Sequence, residues 1–458
     1  MWYRSTRYRN PQGTRQATSQ SSEDTAPESG VFSFSSVLDQ GLADDGGLYL
    51  PSSTIPQSTL TRPRQHFSEL ATEVMRPFLT SEEESEKLQA ACASAFDFAL
   101  PCKKLCGVGA SLYLLELFHG PTAAFKDFGA RFLARWWAQT PQTQQRTVLV
   151  ATSGDTGGAV ASAFWKQPGF RVVILFPEKG VSPRQKHQLC AWGENVCSLA
   201  VEGTFDDCQR LVKQAFADPD LKRRAGLVSA NSINWGRLLP QVSYYAEASL
   251  RVQEIEKSRV DFIVPSGNLG NGFAAWIARE MGFPIRNLFL AFNANRAVPD
   301  YFESGKWTGQ PTVSTLANAM DVSRPSNWER FEGSSVKFGS APGLFARSVS
   351  DPEIRESIES AARLTGEILC PHTATGFSVW KSNQEKADRR TSSQEACPSI
   401  LVATAHAAKF DSIVDPIVEP ILGRKTVCPA ALSEILRRPA RFESLRPHLE
   451  DLKKHLAG

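Results

Sequence analysis

Residues 146–165 read RTVLVATSGDTGGAVASAFW, and the order of elements in this stretch sets the fold. Arg146–Thr152 is apolar and β-branched without the alternation of a half-exposed strand, so it reads as a strand buried on both faces. Ser153–Gly158 is a glycine-rich turn, and Ala159–Trp165 opens a helix. The same order returns along the chain. Arg171–Phe176 (RVVILF) leads to a helix from about Ser182. Val196–Val201 leads to FDDCQRLVKQAFA, whose Asp206–Asp207 pair suits a helix amino end. Leu227–Ser229 is a shorter strand candidate, and Asp261–Pro265 (DFIVP), Asn287–Phe292 (NLFLAF) and Ser399–Thr404 (SILVAT) follow. Apolar strands separated by helices predict an α/β fold with parallel sheets covered on both faces.

Around this region the chain of 458 residues has room for two or three domains. Residues 1–105 predict a mostly helical N-terminal domain, with helical spacing over 66–100 and Thr80-Ser81-Glu82-Glu83-Glu84 as a capping start. Inside it, residues 11–30 are polar and read as a flexible insertion. Two α/β lobes then occupy 106–421, and a basic, polar segment over 422–458 is expected to be helical and to pack on the outside. The net charge of +3 with 22% charged residues leaves no nucleic-acid footprint. No apolar run approaches the roughly 20 residues that span a bilayer. The nine cysteines lack metal-ligand spacing, which predicts free thiols in a reducing compartment, the cytoplasm, and no metal. The arginine-rich, acid-free start reads either as a transit peptide or as a polar arm.

Candidate chemistry centres on LFHGPTAAFKDFGAR, Leu117–Arg131. Phe128, Phe132 and Trp136 recur every four residues, so one face of the helix that begins there is aromatic and buried. The break at Gly120–Pro121 places Lys126 near the helix start. Desolvation and the positive helix end both favour its neutral amine, the form that Schiff-base chemistry requires. A lysine snorkelling on a helix shoulder is the alternative. Two glycine-rich loops, SGDTGG (Ser153–Gly158) and SGNLGNG (Ser266–Gly272), follow strands and precede helices, where backbone N–H groups can cradle an anion. Neither is a Walker loop or a dinucleotide fingerprint, and either could be a plain tight turn. Together with Lys126 they suit a reaction joining a cofactor phosphate to an amino-acid carboxylate. Pyridoxal 5'-phosphate carries both a phosphate and the aldehyde that Lys126 would capture. Thr404 could set a hydroxyl against the pyridine nitrogen, leaving that nitrogen largely neutral. SANSINWGR (Ser229–Arg237) groups Asn231, Ser232 and Asn234 about Arg237, as a phosphate or carboxylate site or as an Asn-rich cap. NAMDVSRPSNW (Asn318–Trp328) is polar and turn-rich. His119, His372 and His406 are open to acid–base or structural roles.

With these segments in place, the chain resembles the threonine synthases, pyridoxal-phosphate enzymes of the tryptophan-synthase-β fold type. The match runs nearly end to end: YRSTR (Tyr3–Arg7), GLADDGGLYLP, LFHGPTAAFKDFGARF, ATSGDTGGAVASAF, SANSINWGRLLPQ, PSGNLGN, NAMDV and TAHAAKF. YRSTR favours a native arm over a transit peptide. The resemblance implies two parallel-sheet lobes of the fold type II pyridoxal-phosphate enzymes, with 106–421 as the cofactor-binding catalytic domain. It implies that Lys126 is the catalytic, cofactor-bearing lysine, that Gly267, Asn268, Leu269, Gly270 and Asn271 lie at the cofactor phosphate, and that Thr404 meets the pyridine nitrogen. Ser153, Gly154, Asp155 and Thr156 would face the substrate carboxylate and the cofactor ring, and Asn231, Ser232, Asn234 and Arg237 the substrate phosphate. The implied reaction is O-phospho-L-homoserine and water to L-threonine and phosphate, the last step of threonine biosynthesis, in a monomer or homodimer. Rivals are a related phospho-lyase releasing 2-oxobutyrate and a threonine or serine dehydratase. The chain departs from the family pattern at Leu269 (commonly Phe), Asn271 (Asp), Ala407 (Pro) and Cys370 (an acidic residue), and none of these touches the lysine.

Overall fold

The computed structural model describes residues 1–8, 30–140, 144–152, 154–334, 339, 341–388 and 397–456. The expected insertion over 11–30 lies, except for Gly30, outside the described residues, and so does Ser153.

Two large sheets carry the α/β architecture. One has six strands in the order Leu344–Ser348, Ile285–Phe292, Val260–Pro265, Ser399–Ala403, Leu112–Glu116 and Cys102–Lys104. All neighbours are parallel except the antiparallel edge pair Cys102–Lys104 and Leu112–Glu116. The other has five parallel strands in the order Glu443–Leu445, Val196–Val201, Phe170–Pro177, Arg146–Ala151 and Leu227–Val228. The inner strands are buried along almost their whole length, as continuous apolar runs require. No helix among the described residues is long and apolar enough to cross a membrane.

The helix Lys126–Ala138 packs against Glu83–Ala95, Asp155–Phe164 and Trp235–Glu256. Its aromatic stripe is buried as expected: Phe128 alone meets the rings of Phe67, Phe96, Phe98 and Tyr244. The chain start is folded in. Tyr3–Ser5 pairs antiparallel with Tyr49–Pro51, and the Tyr3 hydroxyl donates to the Phe78 carbonyl at 2.6 Å.

Two local expectations change. The helical stretch over 66–100 is two helices, Phe67–Met75 and Glu83–Ala95, because Pro77 turns the chain in a short 3-10 segment between them. The capping start runs in reverse: no side chain caps Glu83–Ala95 at Glu82, and Glu84 instead accepts from the backbone N–H of Thr80 (2.7 Å), Ser81 (3.2 Å) and Ser35 (3.0 Å). The segment after 422 holds the helices Ala430–Arg437 and Leu449–Leu456, and it also adds the edge strand Glu443–Leu445 beside Val196–Val201. Leu445, Leu452 and Leu456 are buried with Leu199, Val201 and Leu211, so this segment completes the outer face of the smaller lobe.

Candidate active site

The site lies where segments following strands of the two sheets meet. Before the helix Lys126–Ala138, Ala124 bridges Ala405 in antiparallel fashion. Phe125 N–H donates to the Thr404 carbonyl at 2.8 Å, and His406 N–H donates to the Ala123 carbonyl at 3.0 Å. This clip fixes Lys126 beside Thr404, residues 278 positions apart that share no local signal. Asp127, fully buried, accepts from the Thr122 N–H (2.8 Å) and hydroxyl (2.7 Å) and so tightens the turn into the helix.

Among the described residues nothing hydrogen-bonds or ion-pairs the Lys126 amine. Burial lowers its pKa to about 8, against the pull of Asp155 and with a push from the positive Arg237 and Lys409. Lys126 is half-buried at the helix start, in place of an open shoulder.

The loop after Arg146–Ala151 enters the helix Asp155–Phe164. Thr152 Oγ1 accepts from the N–H groups of Gly154 and Gly157, both at 3.0 Å. Gly154 has φ +151°, and a Cβ there would stand 2.6 Å from Gln185 Nε2. Gly154→Ala is therefore expected to cost about 1–3 kcal/mol in denaturant unfolding and to push Gln185 off Asp155. Asp155 is buried and held well below the usual carboxylate range, despite its burial, by Lys409 and then Lys126. Its Oδ1 accepts from Lys409 Nζ at 2.8 Å and Gln185 Nε2 at 2.9 Å. Thr156 is half-buried beside it.

The second loop, Ser266–Gly272, turns on Leu269 in the left-handed region (φ +61°) at the amino end of the helix Gly270–Glu280. Gly267 packs so close that a Cβ would lie 2.8 Å from Met320 Cα, so the polar turn Asn318–Met320 forms one wall of the loop. Asn268 donates to Ser232 Oγ at 2.8 Å, and its carbonyl accepts from Asn327 Nδ2 at 2.9 Å. Asn271 Oδ1 accepts from the hydroxyls of Tyr244 and Tyr245 (2.5 and 2.7 Å), while its Nδ2 is buried with no partner among the described residues.

The Ser229–Arg237 cluster divides. Asn234 caps the helix Trp235–Glu256 through Gly236 N–H and donates to the carbonyls of Leu38 (2.8 Å) and Ser229 (2.9 Å). Its polar atoms are all engaged with backbone, so it shapes the loop and presents nothing to a ligand. Asn231 Oδ1 and Arg237 Nε are buried without partners, and Arg237 Nη1 donates to the Ala230 carbonyl. Burial lowers the Arg237 pKa to about 10, which leaves the guanidinium charged near neutrality. Thr404 is buried, and among the described residues no side chain bonds its hydroxyl.

The three histidines each have a partner in the fold. His372 Nε2 accepts from Ala319 N–H at 3.1 Å, and burial pushes its pKa down to about 4. His406 Nδ1 accepts from Ala408 N–H at 3.1 Å and is likewise lowered to about 4 by burial. His119 pairs with Glu116 at 2.7 Å. Burial also raises the Cys370 thiol, which contacts Thr373 Oγ1 at 3.2 Å, so this departure adds no charge.

The residues that sequence reasoning missed are Lys409, Gln185, Asn318 and Arg330. Gln185 Oε1 accepts from Asn318 Nδ2 at 3.1 Å. Arg330, fully buried, donates to the carbonyls of Tyr49 (3.1 Å) and Ile233 (2.6 Å) and to Asn327. Lys409 stood in the TAHAAKF segment, and its buried position was its only further signal. An unpaired amine, an unpaired amide N–H at a helix start and a free hydroxyl form the donor set that a phosphorylated aldehyde cofactor with a ring nitrogen requires, so the residues present fit pyridoxal phosphate.

Three family models match the chain. The model described as pyridoxal-phosphate dependent enzyme covers residues 99–394, that of the threonine synthase N terminus 22–96, and that of the threonine synthase C-terminal region 373–456. Threonine synthase of Haemophilus influenzae is 39% identical over 94% of this chain and 97% of its own length. That of Serratia marcescens is 38% identical over 93% and 96%. The crystal structure of threonine synthase from Escherichia coli superposes with a TM-score of 0.85 at 33% identity, covering 100% of this chain and 99% of that one. The pyridoxal-phosphate-bound enzyme from Brucella melitensis gives 0.81 at 32%, with the same coverage.

Proposed function

The chain belongs to the threonine synthase family of pyridoxal-phosphate-dependent lyases, and from that membership we propose that its substrate is O-phospho-L-homoserine and that the residues above divide the work as follows. Bound pyridoxal phosphate supplies the electron sink that makes the Cα and Cβ protons of an amino acid removable. Lys126 would hold the cofactor aldehyde, and its amine, when free, would move protons at the substrate Cα and Cβ. Gly267, Asn268, Leu269 and Gly270 offer backbone N–H groups to the cofactor phosphate, and Asn271 Nδ2 adds a side-chain donor. Thr404 presents its hydroxyl to the ring nitrogen.

Gly154, Asp155 and Thr156, with Ser153, form the seat of the substrate carboxylate, which the backbone N–H groups of Asp155 and Thr156 receive while Thr152 Oγ1 holds that of Gly154. Arg237, Asn231 and Ser232 hold the γ-phosphate and match the charge that grows as it leaves. The two protons taken at Cα and Cβ are returned to Cγ and Cα. Water gives its hydroxyl to Cβ and its remaining proton to the departing phosphate. The nine free cysteines suit a reducing cytoplasm.

The observation that carries this reading is the Lys126 amine, without a hydrogen-bond or ion-pair partner among the described residues, held near Thr404 by the Phe125 clip and near Arg237, whose Nε is buried without a partner. Product identity tests it. Purified enzyme given O-phospho-L-homoserine is expected to release threonine and phosphate in equal amounts. Accumulation of 2-oxobutyrate in place of threonine would make it a phospho-lyase.

A further inference from the structure

We propose that Lys409 is a positioning residue whose charge cancels that of Asp155 across the seam between the two lobes, so that the substrate α-carboxylate can dock at the start of the helix Asp155–Phe164. The role rests on the carboxylate placement proposed above.

Three observations lead to it. The first is where the pair comes from. Asp155 follows the strand Arg146–Ala151 of the five-stranded sheet, whereas Lys409 follows the strand Ser399–Ala403 of the six-stranded sheet. Their side chains meet at 2.8 Å with exposures of 1% and 4%. Lys409 Nζ also donates to the Thr122 carbonyl at 2.9 Å, in the turn that leads into Lys126, and Gln188 Nε2 donates to the same carbonyl at 3.1 Å. A pair this deeply desolvated is maintained only where other groups bond each charge as well, as Thr122 and Gln185 do here.

The second is a conflict of charge. The loop expected to receive a carboxylate carries an ionised carboxylate of its own. Two such groups in contact repel strongly and cannot both stay ionised unless a cation stands between or beside them. Gln185 is neutral, burial keeps His372 neutral, and Lys126 makes no hydrogen bond or ion pair with Asp155. Arg237 is given to the phosphate end. Lys409 is the remaining cation in bonding contact with Asp155 among the described residues, and it leaves the backbone N–H groups of Asp155 and Thr156 free to act on a second anion, those of Gly154 and Gly157 being held by Thr152 Oγ1.

The third is that the seam has other ties. Arg184 on one side pairs with Asp411 on the other at 2.6 Å and donates to the Ala408 carbonyl, and Asn318 reaches Gln185 at 3.1 Å. The lobes therefore do not depend on Lys409 to stay together, and its charge is left as its distinct contribution.

The test uses the holoenzyme and two unreactive ligands, read by the change each causes in the cofactor absorbance. One is a phosphonate analogue of the substrate amino acid, and the other is the same amine phosphonate without its carboxylate. Lys409→Met is expected to weaken the carboxylate-bearing ligand at least about tenfold while leaving the carboxylate-free amine within about twofold. The double variant Asp155→Asn/Lys409→Met, which removes both charges, is expected to recover the carboxylate ligand to within about threefold of the parent. Equal weakening of both ligands by Lys409→Met, or no recovery in the double variant, overturns the proposal, because a packing role would produce either result. A parent enzyme that binds the two ligands alike overturns instead the carboxylate placement on which the proposal rests.

Discussion

Lys126→Ala is expected to lower turnover by at least about three orders of magnitude and to abolish the absorbance of the lysine-bound cofactor. The amine has no hydrogen-bond or ion-pair partner among the described residues, so its removal unties nothing in the fold, and the variant should unfold at an unchanged midpoint. The same lysine gives a pH signature. Its pKa is lowered to about 8 by burial, and the neutral amine is the nucleophile. Capture of added pyridoxal phosphate by cofactor-free enzyme should accelerate about tenfold per pH unit below that value and level off above it. A capture rate still climbing towards pH 10 would mean an ordinary solvated lysine. Turnover in Lys126→Ala close to that of the parent would remove the residue from the chemistry altogether.

Arg237 carries the second large effect. Substitution by Met is expected to lower kcat/KM for O-phospho-L-homoserine at least about a hundredfold, through loss of a charge-assisted contact to a leaving phosphate. Stability should move the other way. Among the described residues the guanidinium makes no ion pair, its Nε is buried without a partner, and burial already pulls its pKa down to about 10. Replacing a buried charge that lacks an ion-pair partner by an apolar side chain is neutral or slightly stabilising, because the desolvation cost removed offsets the lost hydrogen bond to the Ala230 carbonyl. A structural arginine would lose stability and activity together, whereas a phosphate-binding one loses activity alone. A dehydratase of the same fold needs no phosphate cluster, so unchanged activity in Arg237→Met would favour that rival.

Strands such as Arg146–Ala151 and Ser399–Ala403 were legible because burial on both faces demands unbroken apolar runs. Leu344–Ser348 was not, since an edge strand with Arg347 and Ser348 in it has no such run. Glu443–Leu445 was hidden for the same reason, three residues with only Leu445 turned inward. Loop identity was legible in composition, but what each loop does with its side chains was not. Asn234 and Asn231 look equivalent in sequence; three backbone partners occupy the first, and the second keeps an orphaned oxygen. Lys409 illustrates the limit most sharply. Its meaning depends on Asp155, 254 positions away on the other lobe, and no periodicity or local motif encodes a meeting of that kind.

The strand order of the six-stranded sheet bears on how the molecule is made. Its central strand, Ser399–Ala403, is the last of the six in the chain, and it slots between Leu112–Glu116 and Val260–Pro265. During synthesis from the N-terminus, Leu112–Glu116 must wait without a partner on that side while nearly three hundred further residues emerge. Most strands of the smaller lobe, from Arg146 to Val228, are complete long before. The clip between Phe125 and Thr404 forms only after that late strand arrives, so the lysine and the hydroxyl come together only once Thr404 has been made. A product that stops before Ser399 keeps an open gap between Leu112–Glu116 and Val260–Pro265, an unpaired edge that invites aggregation.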